Sequence, residues 1–225
     1  MKIILIQPPI RDFYDTEIRL QPLGLCMLKA AVKMHIPDIE VIVKDFHQGR
    51  GRRTITYPGE FTYLKDYYQF HDKGPFSTFH HFYHFGADFD EAAEEVAKER
   101  PDLVGISSLF SPYCREALAC AHAVKKRIDA PIIMGGPHVS AAPREILKDP
   151  CVEFIIRGEG ERPLVELLKA LCYEGAMDCV PNLGFKRNSE MILNPIEKNY
   201  DISDMPWPDF SDLPTDRYTL NGKPL

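Results

Sequence analysis

Residues 101–110, PDLVGISSLF, carry the pattern that decides the fold. Four apolar residues, Leu103–Ile106, are followed directly by two serines. A short apolar run that does not alternate with polar residues is typical of a strand buried on both faces, as in a parallel sheet. Because ligands of parallel α/β sheets bind at the carboxyl ends of the strands, Ser107 and Ser108 become candidate site residues.

Four other runs share this character, and they are Lys2–Ile6, Ile39–Val43, Ile132–Met134 and Val152–Ile156. Between most of them lie segments with helical spacing: Pro22 to about Met34; Leu118, Ala121, Val124 and Ile128; and Leu164, Leu167, Leu168 and Leu171 after Pro163. Alternating strands and helices predict a doubly wound, Rossmann-like α/β domain over residues 1–172, with five parallel strands and helices on both faces.

Residues 57–86 interrupt the alternation between the second and third strands, and we interpret them as an insertion. The segment holds eleven aromatic residues and four histidines, which are His71, His80, His81 and His84. His80 and His84 would be close enough to share a metal ion if they lay on a helix. An aromatic flap over an apolar cofactor face, or against another domain, is the interpretation that the composition favours.

Residues 173–225 are rich in proline and irregular, apart from one predicted hairpin. Its strands are Leu183–Lys186 and Met191–Asn194, which turn through Asn188 and Ser189. We interpret this region as a hairpin and linker toward a further domain.

Composition excludes several classes of function. The chain has 225 residues, 44% of them hydrophobic, which suits one main core. A formal net charge of -6 disfavours a nucleic-acid partner. The six cysteines lack the close spacing of a zinc or iron–sulfur site, so no metal ligands are predicted. Without a charged leader or a long apolar segment, the expected location is the cytoplasm, with no membrane span.

Small or polar residues follow the third, fourth and fifth predicted strands, and a different pattern follows the first. The first strand ends in Gln7-Pro8-Pro9, which lacks the glycine pattern of a dinucleotide or phosphate loop. The third ends in Ser107-Ser108-Leu109, the fourth in Gly135-Gly136-Pro137-His138 and the fifth in Arg157-Gly158-Glu159-Gly160-Glu161. Tight turns and a helix cap would explain the last two loops separately. Together, the three loops predict a deep slot at one edge of the sheet.

Two of these loops resemble the cobalamin-binding Rossmann-like domain, which carries SxL after the third strand and GG after the fourth. The longer strings at 101–107, 135–138, 158–161 and 22–25 are similar to the N-terminal half of cobalamin-dependent radical S-adenosylmethionine (SAM) proteins. That group includes anaerobic magnesium-protoporphyrin monomethyl ester cyclases and methyltransferases. The resemblance implies that the chain binds cobalamin, and that the parent enzyme adds a [4Fe-4S] cluster and SAM for methyl transfer, radical cyclisation or rearrangement.

The resemblance also implies a set of cofactor-binding residues. Ser107, Ser108 and Leu109 would line the channel of the nucleotide tail, and Gly135 and Gly136 would admit the ring. The set also includes Phe110, Pro137 and His138. Gly158 and Glu159 would meet the nucleotide end. Gln7, Pro8, Pro9, Leu20 and Leu23 would face the corrin. His138 remains open between a contact to the cofactor and a hydrogen bond within its loop.

The sequence differs from the motifs of these families at two points. Cobalamin proteins with a protein histidine on cobalt carry DxHxxG after the first strand, whereas Asp45-Phe46-His47-Gln48-Gly49-Arg50 follows the second strand and ends in arginine. We interpret this string as an ordinary loop, which leaves cobalamin base-off without that histidine. The radical SAM motif CxxxCxxC is missing, so we expect the fragment alone to lack catalysis and to partner a missing radical SAM domain.

Two alternatives remain open at this stage. One is a cofactor-free module of the same fold that serves docking or substrate capture. The other is a small-molecule α/β enzyme complete within these residues, although no nucleophile and base pair is visible to support it.

Overall fold

The structure, a computed structural model, describes residues 1–14, 21–67, 79, 81–197, 205–220 and 223–224. In chain order its strands are β1 Lys2–Gln7, β2 Ile10–Asp12, β3 Glu40–Asp45, β4 Arg52–Ile55, β5 Phe82–Phe85, β6 Leu103–Ser107, β7 Ile132–Gly135, β8 Phe154–Ile156, β9 Leu183–Arg187, β10 Glu190–Leu193, β11 Thr219–Leu220 and β12 Lys223–Pro224. Its helices are α1 Leu23–His35, α2 Leu64–Tyr67, α3 Phe89–Lys98, α4 Cys114–Lys125, α5 Pro137–Ala141, α6 Pro143–Lys148 and α7 Glu161–Cys172.

Five parallel strands form the centre of the main sheet, in the order β3-β1-β6-β7-β8. This order confirms the predicted doubly wound α/β architecture. The chain order reverses between β1 and β6, which is the position where ligands of such sheets bind. Four of the strands end one or two residues later than the sequence predicted, and β8 is shorter because Val152 and Glu153 precede it.

The predicted hairpin is present and extends the main sheet to seven strands among the described residues. Strand β9 pairs antiparallel with β8, and β10 pairs with β9. Asn188 and Ser189 form the turn with φ of 50° and 68°, the left-handed conformation that two-residue hairpin loops require. Leu183 and Phe185 are buried, so the removal of their apolar side chains from water favours pairing of the hairpin with the main sheet.

Two apolar layers cover the faces of the sheet. Strand β1 places Ile3 and Leu5 in the layer beneath α1 and α7, and Ile4 and Ile6 in the layer beneath α3 and α4. All four side chains are at most 2% exposed. This burial on both faces explains why the strands read as continuous apolar runs.

The insertion contributes to a separate antiparallel sheet with the order β2-β5-β4. His84 lies in strand β5 and its Nε2 is 2.7 Å from the carbonyl oxygen of Ala87, so the helical spacing required for a metal pair does not exist there. His71 and His80 lie outside the described residues. Tyr113, which follows β6, donates a hydrogen bond to Asp12 of β2 and thereby joins this sheet to the carboxyl edge of the main sheet.

Residues 205–220 pack back onto α1 and β3 through a buried cation. Lys29 is 3% exposed, and its ammonium lies 2.6 Å from an Asp212 carboxylate oxygen and 2.8 Å from the Ser211 hydroxyl. Asp212 also accepts the backbone N–H of Val43. Tyr218 donates to Asp45 at 2.8 Å. The described helices include none with the length and apolar character needed to cross a membrane.

Replacing Asp212 with alanine should therefore destabilise the domain strongly. The substitution leaves the buried Lys29 with the neutral Ser211 hydroxyl and, as its nearest carboxylate, the more distant Asp209 at 3.7 Å, so we expect a loss of about 3 kcal/mol in the free energy of unfolding. Urea unfolding followed by circular dichroism measures it. Lys98→Ala breaks an exposed ion pair and should change stability by less than about 0.5 kcal/mol. Equal effects of the two variants would contradict this account.

Candidate cofactor-binding site

The carboxyl ends of β6, β7 and β8 lie side by side at one edge of the sheet. Ser107 pairs with Gly135 in the register of β6 and β7, and Gly135 pairs with Ile156 in that of β7 and β8. The three loops that the sequence singled out therefore start from adjacent positions on the same edge.

The loops after β6 and β7 are in direct backbone contact. Ser108 donates its N–H to the carbonyl of Gly135 at 2.8 Å. Gly136 has φ of 118°, and a Cβ there would lie 2.6 Å from the Ser108 carbonyl oxygen. A Cβ on Gly135 would instead meet only the Ile156 carbonyl, at 3.9 Å. Gly136 thus allows the two loops to approach, whereas Gly135 leaves space beside the strand ends.

Ser140 and Asn182 hold the loop after β8 in place. The Ser140 hydroxyl accepts the N–H of Gly158 at 2.7 Å and donates to the Gly136 carbonyl at 3.2 Å. Asn182 donates its side-chain N–H to the carbonyl of Glu159 at 3.1 Å. Sequence reasoning missed both residues. The position of Ser140 four residues after Gly136 was the available signal, but it required recognition of the short helix α5.

The Ser108 hydroxyl is buried at the centre of this edge. The residue is 1% exposed, and its Oγ has no hydrogen-bond partner among the described residues. A buried hydroxyl without a partner costs stability. A polar ligand atom that reached this hydroxyl would satisfy it, so the site fits a group with hydrogen-bonding capacity.

Exposed apolar side chains follow β6 and begin α1. Leu109 and Phe110 directly follow Ser108 and are 45% and 57% exposed, and Leu23 at the start of α1 is 54% exposed. The Phe110 ring packs edge-on against Tyr113, with 6.1 Å between ring centroids. Apolar side chains that remain exposed beside a polar slot suit a ligand with a large apolar surface.

The remaining predicted residues differ in their exposure. Pro8 and Pro9 are buried, while Gln7 is partly exposed at the end of β1. Pro137 and Glu159 are exposed. The His138 ring forms a hydrogen bond within the loops, from Nδ1 to the Ser111 hydroxyl at 2.9 Å. Leu20 lies outside the described residues.

Arg157 adds positive charge where β8 ends; it was part of the predicted loop, but the sequence assigned it no role. One of its Nη atoms donates to the carbonyl of Asn194, whereas its buried Nε has no partner among the described residues. Burial lowers the pKa of the Arg157 guanidinium below its ordinary value, and the nearby Arg144 lowers it further. A cation that is partly desolvated in this way is suited to an anionic ligand group.

The histidine of the DxHxxG-like string is packed inside its own loop. Asp45 accepts the N–H groups of His47 and Gln48 at 2.8 and 3.1 Å, which forms a local turn after β3. His47 is 5% exposed and packs edge-on against Phe85. Strand β3 is separated from β6 by β1, so this loop does not adjoin the serine and glycine loops directly.

The part of the chain that forms this edge is similar to known proteins. The family model of the B12 binding domain matches residues 76–168, which include β6, β7 and β8. An uncharacterized methyltransferase of Pyrococcus horikoshii is 30% identical over 139 residues, 61% of this chain and 30% of that protein. The anaerobic magnesium-protoporphyrin IX monomethyl ester cyclase of Rubrivivax gelatinosus is 24% identical over 134 residues, 57% of this chain and 24% of that protein.

Solved structures share the fold. The radical SAM methyltransferase TsrM from Kitasatospora setae, with cobalamin and a [4Fe-4S] cluster bound, superimposes with a TM-score of 0.59 at 19% identity over 91% of this chain. The cobalamin-dependent radical SAM enzyme OxsB, with aqua-cobalamin bound, gives 0.65 at 16% identity over 94%. The chain spans between 24% and 30% of the length of these four proteins.

The two glycines after β7 should respond differently to alanine. Gly136→Ala places a Cβ against the Ser108 carbonyl in a backbone conformation that side chains rarely adopt, so we expect a loss of about 3 kcal/mol in unfolding free energy. Gly135→Ala enters open space and should change stability by no more than about 0.5 kcal/mol. Urea unfolding of both variants measures the difference, and similar losses would contradict the assigned roles.

Proposed function

Since residues 76–168 match the B12 binding domain and the sequence resemblance to cobalamin-dependent radical SAM proteins is confirmed, we propose that the chain binds cobalamin at the carboxyl edge of β6, β7 and β8. The observation that carries the proposal is the buried, unpartnered Ser108 hydroxyl in the loop whose backbone is hydrogen-bonded to Gly135, where a missing side chain leaves room. A buried polar atom without a partner at this edge fits a ligand that supplies hydrogen-bonding groups.

Each loop would serve a separate part of the cofactor. Ser107, Ser108 and Leu109 would line the channel of the nucleotide tail, and the missing side chain of Gly135 would give the tail room. Gly158 and Glu159 would meet its end, where Arg157 supplies charge suited to a phosphodiester. Exposed Leu109, Phe110 and Leu23 would offer apolar contact to the corrin, with Gln7 nearby at the end of β1.

We further propose that cobalamin is held base-off, without a histidine from the DxHxxG position. The packing of His47 against Phe85 of β5 supports this, because the ring is buried between its own loop and β5. The ring of His138 forms a hydrogen bond to Ser111 through Nδ1, which supports a role in fixing its loop.

When bound, cobalamin supplies the cobalt chemistry on which methyl transfer and radical reactions of its enzymes depend. This chain would bind and orient the cofactor. A radical SAM domain, with a [4Fe-4S] cluster and SAM, would complete the active site of the parent protein and perform methyl transfer, cyclisation or rearrangement. The names of the relatives, a methyltransferase and a cyclase, support both reaction classes.

The chain should retain cobalamin after incubation with hydroxocobalamin and desalting. We expect a coloured protein whose visible spectrum is that of the base-off form at neutral pH. Gly135→Leu should lose most of the bound cobalamin, because its side chain would occupy the space beside β7, while the free energy of unfolding stays close to that of the wild type.

Ala176→Leu is the matched control, since it adds similar apolar bulk at an exposed position after α7, at the opposite edge of the sheet. This control should retain cobalamin fully. A colourless wild-type protein would favour the alternative, a cofactor-free module for docking or substrate capture. Equal retention by Gly135→Leu and the control would place cobalamin elsewhere.

Ser108→Ala should affect binding and stability in opposite directions. Removing a buried hydroxyl that lacks a partner should leave the unfolding free energy unchanged or raise it by up to about 1 kcal/mol. Loss of one hydrogen bond to cobalamin should weaken affinity roughly fivefold to tenfold. Equilibrium titration with hydroxocobalamin measures the affinity, and unchanged affinity would remove Ser108 from the site.

A further inference from the structure

Three side chains with metal-ligating atoms converge at the amino edge of the main sheet. His122 lies in α4, Asp149 directly follows α6, and Cys151 lies three residues before β8 begins. One ligand atom of each lies within 4.8 Å of the other two. Asp149 and Cys151 share the loop between α6 and β8, and tertiary packing brings His122 of α4 to them.

Asp149 is the centre of this cluster. One carboxylate oxygen lies 2.7 Å from His122 Nε2, and the other accepts the N–H of Cys151 at 2.9 Å. Its backbone carbonyl accepts a hydrogen bond from Lys186 of β9 at 2.6 Å. The side chain of Asp149 is 15% exposed and that of His122 is 46% exposed, so the group is anchored on one side and open to solvent on the other.

Imidazole nitrogen, carboxylate oxygen and thiolate sulfur together form a ligand set that binds zinc in preference to magnesium or calcium. Zinc–ligand distances of about 2.0–2.3 Å require ligand atoms somewhat more than 3 Å apart. The histidine and aspartate would therefore separate slightly, and the sulfur would move inward. Ionised Asp149 and Cys151 would balance the charge of a divalent cation.

We infer that His122, Asp149 and Cys151 form a binding site for zinc or a similar divalent transition metal, with the fourth position open to water. When the metal binds to Nε2 of neutral His122, the ring proton moves through solvent from Nε2 to Nδ1, and two metal–ligand bonds replace the His122–Asp149 hydrogen bond. The zinc–sulfur bond replaces the S–H bond of Cys151, and the thiol proton passes to the buffer.

This site is independent of the proposed cobalamin site. The metal cluster precedes β8, at the amino edge, whereas Ser108 and Gly135 lie at the carboxyl ends of β6 and β7. Failure of one proposal would leave the other unaffected.

Zinc titration of the metal-free chain against a chromophoric chelator tests the inference. We expect one equivalent of zinc to bind, and Cys151→Ser and Asp149→Asn each to weaken binding by at least about tenfold. Asp149→Asn keeps an oxygen that can accept the Cys151 N–H, so it preserves the turn. Cys179→Ser changes an exposed thiol outside the cluster and should bind zinc like the wild type.

Alkylation by iodoacetamide, read by peptide mass spectrometry, locates the metal. Zinc should slow alkylation of Cys151 and leave Cys179 unaffected. Cobalamin retention by Cys151→Ser should equal that of the wild type. Binding of less than one equivalent, binding unaffected by Cys151→Ser, or equal protection of both cysteines would overturn the site and leave only the His122–Asp149 hydrogen bond.

Discussion

The close approach of two backbones, at Ser108 and Gly136, determines the form of the candidate site. The carbonyl oxygen of Ser108 lies only 2.6 Å from the position that a Cβ would take at residue 136, so the loops after β6 and β7 touch directly. The Ser108 N–H pairs with Gly135, while the hydroxyl of the same residue stays buried without a partner among the described residues. The contact between the two loops thereby fixes the ends of β6 and β7 and leaves the Ser108 hydroxyl for a ligand to bind.

The rest of the edge is built by fixed hydrogen bonds. Ser140 connects the loops after β7 and β8, and Asn182 connects the latter to the start of β9. Loops that are already fixed lose little conformational entropy when a ligand binds. The antiparallel hairpin therefore contributes to the site indirectly, because it brings Asn182 beside Glu159.

The two edges of the sheet differ in chemistry. The carboxyl edge presents backbone, hydroxyl groups and exposed apolar side chains, which suit a large organic cofactor. The amino edge brings together His122, Asp149 and Cys151, which suit a metal ion. Buried strands separate the two edges, and both apolar layers pack against them. The two proposed sites thus lie at opposite edges of one sheet.

The sequence by itself determined the five parallel strands, the hairpin and the serine and glycine loops, because periodicity and turn preference depend on neighbouring residues. Only the tertiary structure decided the features that depend on strand order and register. It distinguished Gly135, which opens a space, from Gly136, which accommodates Ser108. It also placed the hairpin in the main sheet and brought His122 of α4 to Asp149 and Cys151 in the loop before β8. Such contacts join residues far apart in the chain, so no local pattern encodes them.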